Sequence, residues 1–224
     1  MNKEIELYVG ELRELRERVK ELEARLNISK KYFIKENYVH REKVRYHDDT
    51  KKSYNSDMWQ KEVYVLAKEY AKERGYIRIL DIGTGSGFKL LKYFDDFDTI
   101  GVDLPPTVEW LKKKYPNKSW TDNFEPITDM HMIIASDVIE HIDDPDNLLD
   151  LIEASNPELI VLSTPDRNLL EKGQDGPPRN TAHFREWSFD EFGKYIESRF
   201  NVIEHLITNE KQGTQTIVCE VKND

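Results

Sequence analysis

The sequence IRILDIGTGSGF, residues 77–88, joins a run of apolar residues to a glycine-rich turn and leads into Phe88–Phe94. A short apolar run bounded by glycine is typical of a buried strand, and the segment after the turn is typical of a helix. Glycine lets the backbone turn sharply and approach a ligand, and a helix N-terminus offers unpaired N–H groups. The stretch therefore predicts a ligand site with Asp81 at the strand end, and a turn that only reverses the chain is the alternative.

The spacing of the glycines distinguishes between cofactors. A dinucleotide-binding turn has the spacing GxGxxG, whereas this chain reads Asp-x-Gly-x-Gly-x-Gly over residues 81–87. That pattern resembles motif I of the class I S-adenosylmethionine-dependent methyltransferases. The resemblance implies that Asp81 lies near the ammonium group of the cofactor. It also implies a loop around the methionine end of the cofactor, formed by Gly83, Thr84, Gly85 and Gly87.

A second carboxylate, Asp103, ends the short apolar run Thr99–Asp103. Doubly wound sheets bind nucleosides outside the carboxyl ends of their strands, where an acidic side chain accepts hydrogen bonds from ribose hydroxyls. Asp103, with Leu104 beside it, is therefore predicted to bind the ribose of a nucleoside cofactor. S-adenosylmethionine and nicotinamide cofactors share this feature, and an aspartate that only starts a turn before Pro105 is the alternative.

The string SDVIEHIDDP, residues 136–145, follows the apolar run Met130–Ala135. It resembles the fourth-strand signature of small-molecule methyltransferases of the ubiquinone-biosynthesis type. The later run LIVLSTP, residues 159–165, resembles the fifth strand of the same family. The resemblance implies that Ser136 and Asp137 contact the cofactor.

Strand-like and helix-like segments alternate from residue 57 onward, which predicts an α/β domain over 57–224. The resemblance implies a Rossmann-like, seven-stranded class I methyltransferase sheet that is mostly parallel, with its last strand antiparallel. Ser188 and Glu191 have the capping-box spacing at the start of a last helix. A closing hairpin is predicted over 200–208 and 213–221.

The first 27 residues carry an a/d heptad seam between charged residues. Such a seam predicts a coiled-coil helix over 1–27 that pairs with another copy, giving a homo-oligomer, or with a partner protein. A helix packed on its own domain is the alternative. The members of the seam are Ile5, Tyr8, Leu12, Leu15, Val19, Leu22 and Leu26.

Residues 28–56 are rich in aromatic and basic side chains and have no clean period. We predict that they form a cap over the active site, because such side chains on a mobile segment suit closure over a cofactor. Tyr46 and His47 are the predicted substrate-binding residues of this cap. Packing of the aromatic residues against the coiled coil is the alternative.

The segment after the predicted third strand is the candidate adenine site. The family usually places an acid or an amide there, followed by a backbone N–H group. This chain has Asn123 and Phe124, with Asp122 as an alternative one position earlier. An amide can read the exocyclic amine of adenine and a phenyl ring can pack on the base, although an ordinary turn fits these residues as well.

Two histidines are the candidate catalytic residues. Methyl transfer from a sulfonium needs in-line placement, and a hydroxyl acceptor also needs a general base, for which histidine is best suited near neutral pH. His183 lies in the loop after the predicted fifth strand and is the preferred base, while His141 closes the string 136–141; a structural role is the alternative for each. The same loop supplies a cluster predicted to bind the substrate, formed by Arg179, Asn180, Arg185 and Glu186.

The loop sequence PPRNTAHFREWSFDEF, residues 177–192, resembles a methyltransferase subgroup associated with cell-surface polysaccharide and other sugar pathways. The resemblance implies O-methylation of a sugar or glycan hydroxyl, with S-adenosylhomocysteine as the product. Two further interpretations stay open. One is methylation of another small metabolite at carbon or nitrogen, and the other is a non-catalytic scaffold that binds the cofactor.

Composition narrows the remaining classes. The formal net charge of −10 argues against a nucleic-acid substrate. A single cysteine, Cys219, excludes an intrachain disulfide and favours a reducing compartment. No apolar run approaches the roughly 18 residues of a membrane span and no segment resembles a signal peptide, so we predict a cytoplasmic protein. No Cys/His cluster has metal-ligand spacing, and no metal is predicted.

Overall fold

The computed structural model describes residue 18, residues 32–45 and residues 57–222. The chain divides into two compact units, residues 1–35 and residues 36–224. The coiled-coil helix predicted over 1–27 lies outside the described residues apart from Arg18. Tyr46 and His47 of the predicted cap also lie outside them.

Seven strands form one mixed sheet in the described part of the chain. Its order is β3-β2-β1-β4-β5-β7-β6, and every neighbouring pair is parallel except the two pairs that include β7. The predicted seven-stranded sheet with its last strand antiparallel is confirmed. The strands are β1 (Arg78–Ile82), β2 (Asp98–Val102), β3 (Ser119–Thr121), β4 (Met132–Ser136), β5 (Leu159–Pro165), β6 (Phe200–Asn209) and β7 (Thr214–Val221).

Helices alternate with the parallel strands, as the sequence pattern predicted. A short 3-10 turn, Ile139–His141, follows β4. This turn and the five-residue helix after β5 were not predicted, because such short segments do not display a helical period. The helices of the described residues are α1 (Lys61–Glu73), α2 (Phe88–Phe94), α3 (Pro105–Lys114), α4 (Asp146–Ser155), α5 (Arg167–Glu171) and α6 (Phe189–Glu197).

The central strands are buried on both faces. Every residue of β4 and β5 is buried, as a parallel strand between two layers of helices requires. On one face, α1 packs its residues Val63, Ala67 and Ala71 against the sheet, where they join a cluster that includes Ile79 and Ile134. The rigid sheet therefore fixes the positions of the turns that leave its strand ends.

The last helix begins at the predicted capping box. The Ser188 hydroxyl accepts a hydrogen bond from the Glu191 N–H at 3.4 Å, and the Glu191 carboxylate accepts one from the Ser188 N–H at 2.8 Å. Two donors at the helix N-terminus are satisfied in this way. The closing hairpin is formed by β6 and β7, and buries Cys219 in the core.

The strand order reverses between β1 and β4, because β1 pairs with β2 on one side and with β4 on the other. In open α/β sheets, ligands bind in the crevice outside the carboxyl ends of the strands at such a point. The glycine-rich turn follows β1, and residues 137–145 follow β4. Among the described residues, no helix is both long enough and apolar enough to cross a membrane.

Candidate active site

The glycine-rich turn adopts a backbone that only glycine accommodates without strain. Gly83, Gly85 and Gly87 have φ angles of 72°, 55° and 68°, all in the left-handed region. A Cβ atom at Gly83 would also collide with the side chain of Val138, which approaches from the segment after β4. The turn is tied to the neighbouring strand, since the N–H groups of Gly83 and Thr84 both donate to the Val102 carbonyl.

Asp103 orients this turn from the end of β2. One carboxylate oxygen accepts a hydrogen bond from the Gly85 N–H at 2.7 Å, and the other accepts one from the Leu104 N–H at 2.7 Å. Asp103 thus holds the turn through two backbone N–H groups.

Asp81 is a buried acid beneath the turn. The Tyr64 hydroxyl, from α1, lies 3.0 and 3.1 Å from its two carboxylate oxygens. Burial raises the pKa of Asp81 to about 7 and also raises the pKa of Tyr64 well above its usual value. A buried carboxylate of this kind gains most from a cationic partner, because a nearby positive charge stabilises its ionised form.

A cavity of about 650 Å³ opens at the carboxyl ends of β1, β4 and β5. Its walls come from the glycine-rich turn, the residues before α1 and the loop 179–186. This volume lies in the range of sites that hold a small-molecule ligand. Eight ionisable side chains line it, and they are Tyr64, Lys89, Asp137, Glu140, His141, Arg179, His183 and Glu186.

Asp137 is held in a strained position where the chain leaves β4. Its φ angle is 53°, which is uncommon for a residue with a side chain. Its carboxylate accepts hydrogen bonds from the Ser163 hydroxyl at 2.7 Å and from the Gln60 amide at 3.1 Å. Burial raises the pKa of Asp137. Ser136, its predicted companion, also lines the cavity, with its hydroxyl 2.9 Å from that of Ser163.

His183 forms a buried dyad with Glu186. Its Nδ1 atom lies 2.6 Å from a Glu186 carboxylate oxygen, and its Nε2 atom lies 2.8 Å from the Asn180 amide nitrogen. Because an amide NH₂ only donates, Nε2 accepts, and the ring proton therefore resides on Nδ1. The carboxylate thus fixes the tautomer in which Nε2 carries the lone pair that a general base or a ligand uses.

Glu140 and His141 lie beside this dyad in the 3-10 turn. The His141 Nδ1 atom lies 2.9 Å from the Ala182 carbonyl, and the His141 ring is perpendicular to the His183 ring with centroids 4.7 Å apart. Glu140 has no exposed surface and accepts a hydrogen bond from the Thr164 hydroxyl at 3.0 Å. Burial raises the pKa of Glu140 well above its usual range, and the charge of Asp137 raises it further.

Residues 36–45 of the predicted cap lie along the loop that carries His183. We call residues 36–45 the strap. The N–H groups of Val39, Arg41 and Arg45 donate to the carbonyls of Asp175, Phe184 and Thr181, respectively, at 2.7 to 2.8 Å. The Tyr38 hydroxyl accepts a hydrogen bond from the Glu186 N–H at 3.0 Å. The strap therefore fixes the backbone on which the dyad is built.

Some predicted site residues lie away from the cavity. The Arg185 guanidinium donates to the carbonyls of Ile142 and Asp143 at 3.2 and 2.8 Å, so the chain itself occupies it. Asn123 is exposed and accepts a hydrogen bond from the Glu125 N–H in a local turn. Phe124 and Leu104 are also exposed, at 46% and 42%. Arg179 and Asn180 do line the cavity.

Several lining residues were not predicted from the sequence as site residues, among them Gln60, Glu140 and Gln212. Gln60 and Gln212 come from opposite ends of the chain, and the Gln212 side chain accepts a hydrogen bond from the Gln60 N–H at 3.3 Å. No sequence spacing reveals such a contact. For Glu140 the sequence does contain a signal. Its carboxylate stands beside the apolar residues Val138 and Ile139, and a carboxylate in such surroundings is rarely buried without a polar partner.

Comparison with protein families gives one match over most of the chain. A family model described as "Methyltransferase domain" matches residues 13–204. Comparison with curated proteins gives no significant match.

Several solved structures resemble this one. A chain from the complex between the Haloferax volcanii Trm112 methyltransferase activator and a putative methyltransferase is 16% identical, with a TM-score of 0.60 over 81% of this chain and 100% of that chain. An S-adenosylmethionine-dependent methyltransferase from Clostridium acetobutylicum is 13% identical, with a TM-score of 0.59 over 75% and 94%. The Burkholderia thailandensis 1,6-didemethyltoxoflavin N1-methyltransferase, solved with S-adenosylhomocysteine, is 15% identical, with a TM-score of 0.57 over 78% and 83%. Similarity at this level shows a shared fold.

Proposed function

The chain belongs to the methyltransferase domain family, and from that membership we propose that it transfers the methyl group of S-adenosylmethionine to a hydroxyl oxygen of a small-molecule acceptor. The cofactor supplies a methyl carbon already activated by a positively charged sulfur. What remains for the protein is to place the acceptor oxygen in line, exclude water and remove the hydroxyl proton.

The glycine-rich turn at the end of β1 supports the assignment of this cofactor. The left-handed glycines leave room for a ligand against the backbone. The buried Asp81 carboxylate suits the ammonium group, and Asp103, at the carboxyl end of the neighbouring strand, suits the ribose hydroxyls. Asp81 lies in β1, and Asp103 directly follows the neighbouring parallel strand β2. S-adenosylhomocysteine is the product.

The observation that carries the choice of a hydroxyl acceptor is the buried dyad of His183 and Glu186. Hydroxyl groups have a pKa far above 7, so their methylation requires help with proton removal, whereas an amine or an activated carbon needs less. The His183 Nε2 lone pair lies on the wall of the cavity whose other wall is the glycine-rich turn. In the simplest form of the proposal, this atom accepts the acceptor's proton while the new C–O bond forms.

A polyol, such as a sugar or the end of a glycan, is the acceptor class that the lining favours. Arg179 and Asn180 offer directional donors on one side of the cavity, and Gln60 and Gln212 do so on another. Trp59 and Leu170 add apolar surface at the cavity wall, which suits the C–H face of a sugar ring. The resemblance of residues 177–192 to sugar-pathway methyltransferases supports the same class.

The remaining parts of the chain have proposed roles that rest on the sequence. Residues 1–27 form a coiled coil that joins copies of the chain or a partner protein, and residues 28–56 cap the site with Tyr46 and His47 toward the substrate. Light scattering of the full chain and of a variant with Leu12, Leu15 and Leu22 changed to Ser tests the first role. A change to a smaller species is the expected result.

A direct test of the proposed function follows radiolabelled methyl groups from S-adenosylmethionine into a panel of nucleotide sugars and oligosaccharides. We expect label on oxygen, and a loss of at least a hundredfold in rate for His183→Ala. The control is His131→Gln, because His131 precedes β4 and accepts a hydrogen bond from the Arg78 N–H at the opposite end of the sheet. If His183→Ala retains the wild-type rate, the acceptor atom is not a hydroxyl oxygen and this proposal fails.

A further inference from the structure

Three potential metal ligands converge on one point of the cavity wall. One donor atom each from Glu140, His141 and His183 lie within 4.8 Å of one another. The His183 Nε2 atom is 4.0 Å from a Glu140 carboxylate oxygen, which is too long for a hydrogen bond. Two atoms that each lie about 2.1 Å from one cation are about 3 to 4.2 Å apart. The spacing is therefore close to that of ligands around a common centre.

Both imidazole rings are prepared to act as ligands. The His141 Nδ1 atom lies 2.9 Å from a carbonyl oxygen, which only accepts, so the ring proton is on Nδ1 and the lone pair is on Nε2. His183 has the same tautomer because Glu186 accepts from its Nδ1. Ligating histidines almost always donate their other N–H to a carbonyl or a carboxylate. One of each is present here.

Two carboxylate oxygens at this point are buried and lack a hydrogen-bond partner among the described residues. They are one oxygen of Glu140 and one oxygen of Glu186, and the two side chains are 0% and 1% exposed. A buried polar atom without a partner costs about 1–3 kcal/mol, and more when it is charged. The Glu140 oxygen that lacks a partner is the one that lies 4.0 Å from the His183 Nε2 atom.

We propose that Glu140, His141 and His183 bind a divalent first-row transition metal ion, with Glu186 and the Ala182 carbonyl orienting the two histidines. Two imidazoles and one carboxylate are a ligand set for ions from Mn²⁺ to Zn²⁺ rather than for Mg²⁺ or Ca²⁺, which prefer oxygen ligands alone. Three ligands from the protein leave coordination positions open to the cavity.

The hydrogen bond between Asn180 and His183 must break for the ion to bind, because the amide donates to the same Nε2 lone pair. Asn180 is exposed, so its amide can turn toward solvent. Asn180 is therefore a competitor of the ion. This relationship makes a prediction that a purely structural histidine does not make, since removal of the amide then favours the ion.

The ion's role in the reaction rests on the proposed function. A cation lowers the pKa of a hydroxyl group that it binds. The hydroxyl then loses its proton to solvent water more readily, and its oxygen keeps the electron pair that forms the bond to the methyl carbon. The sulfur keeps the pair of the bond that breaks. When the ion is bound, His183 acts as a ligand, and the ion takes over the assistance to proton removal that the Nε2 lone pair gives in the metal-free protein.

The test is a titration of the full chain, stripped with a chelator, with Mn²⁺ followed by electron paramagnetic resonance. We expect one Mn²⁺ per chain, with ¹⁴N couplings from imidazole, and competition by Zn²⁺ but not by Mg²⁺. Glu140→Gln and His183→Ala should each weaken Mn²⁺ binding at least tenfold. Asn180→Ala should bind Mn²⁺ as tightly as wild type or more tightly, and His131→Gln should bind it like wild type.

Failure of this inference is separable from failure of the proposed function. Calorimetry with S-adenosylhomocysteine on the same samples reports the cofactor site and the integrity of each variant. The inference is wrong if wild type binds no Mn²⁺, Co²⁺ or Zn²⁺ at about 1 mM, or if the bound Mn²⁺ shows no nitrogen coupling. The nitrogen coupling is measured on the wild type, so it stands even where a buried variant does not fold.

Discussion

The Nδ1 atom of His183 lies 2.6 Å from a carboxylate oxygen of Glu186, three residues further along the same loop. Both side chains are almost fully buried, although residues 179–181 of the same loop are exposed. Burial of an imidazole and a carboxylate costs free energy unless the two groups are hydrogen-bonded to each other. Their hydrogen bond also holds the ring in one tautomer. That tautomer leaves Nε2 for the acceptor or for a metal ion.

Glu186→Gln tests this relationship. The amide oxygen still accepts from Nδ1, but the negative charge that raises the basicity of the ring is lost, so we expect kcat to fall about 10- to 100-fold. The fall should appear in kcat with little change in the Kd for S-adenosylhomocysteine. A variant with kcat within twofold of wild type would contradict the role given to Glu186.

Gly83→Ala tests the glycine-rich turn. The new Cβ meets Val138 and the backbone has a φ of 72°, so we expect a loss of stability of about 2–4 kcal/mol and weaker cofactor binding. Adding Val138→Ala should restore part of both. Gly75→Ala is the matched control, since its φ is 70° but its Cβ meets nothing within 4 Å; urea unfolding should show a loss of only about 1 kcal/mol there. Equal losses for the two glycines would exclude the clash.

Asp81 predicts a pH dependence of stability. Burial raises its pKa to about 7 in the folded protein, above its ordinary value of 3.8. Between pH 3.8 and pH 7, the folded state therefore keeps a proton on Asp81 that the unfolded state has lost. The stability that Asp81 contributes is fully present below pH 3.8 and is lost as the pH rises through 7.

The measurement is urea unfolding at pH 5 and pH 8 for wild type and Asp81→Asn. We expect the stability of wild type to decrease more between pH 5 and pH 8 than that of the variant, by up to roughly 3 kcal/mol. Identical pH profiles would contradict the raised pKa of Asp81 in the folded protein.

The contacts of Tyr38 suggest a test of how the strap supports the loop 179–186. Its hydroxyl accepts from the Glu186 N–H, and its ring lies 4.3 Å from the buried Arg167 guanidinium. Tyr38→Ala removes both contacts and should lower kcat/KM at least tenfold while S-adenosylhomocysteine binding stays within twofold. Tyr38→Phe keeps the ring and should retain most of the activity. Equal loss of cofactor binding would mean that the strap supports the whole domain rather than this loop.

The fold could be predicted from the sequence because its signals are local. The apolar run before Gly83, the acid at Asp103 and the capping box at Ser188 each lie within a few residues of the element that they specify. The strand order came from resemblance, since periodicity does not encode which strands are neighbours. Short segments such as α5 escaped because five residues show no period.

The candidate site could be predicted only where one segment supplies it. The glycine-rich turn and the loop of His183 are contiguous, and the sequence reveals both. The cluster of Glu140, His141 and His183 is not contiguous, so its metal-ligand geometry has no sequence spacing. Arg185 shows that a residue in the right loop can still be assigned wrongly. Its position in the loop suggested a substrate contact, whereas its guanidinium donates to two backbone carbonyls.

The most direct test of the cofactor assignment is calorimetry of S-adenosylhomocysteine binding to wild type, Asp103→Ala and Asp98→Ala. Asp98 lies at the opposite end of β2 from Asp103 and is the matched control. We expect micromolar binding by wild type and Asp98→Ala, weakened at least tenfold in Asp103→Ala, which corresponds to about 1.4 kcal/mol. No binding by wild type, or equal binding by all three proteins, would contradict the cofactor site described for this chain.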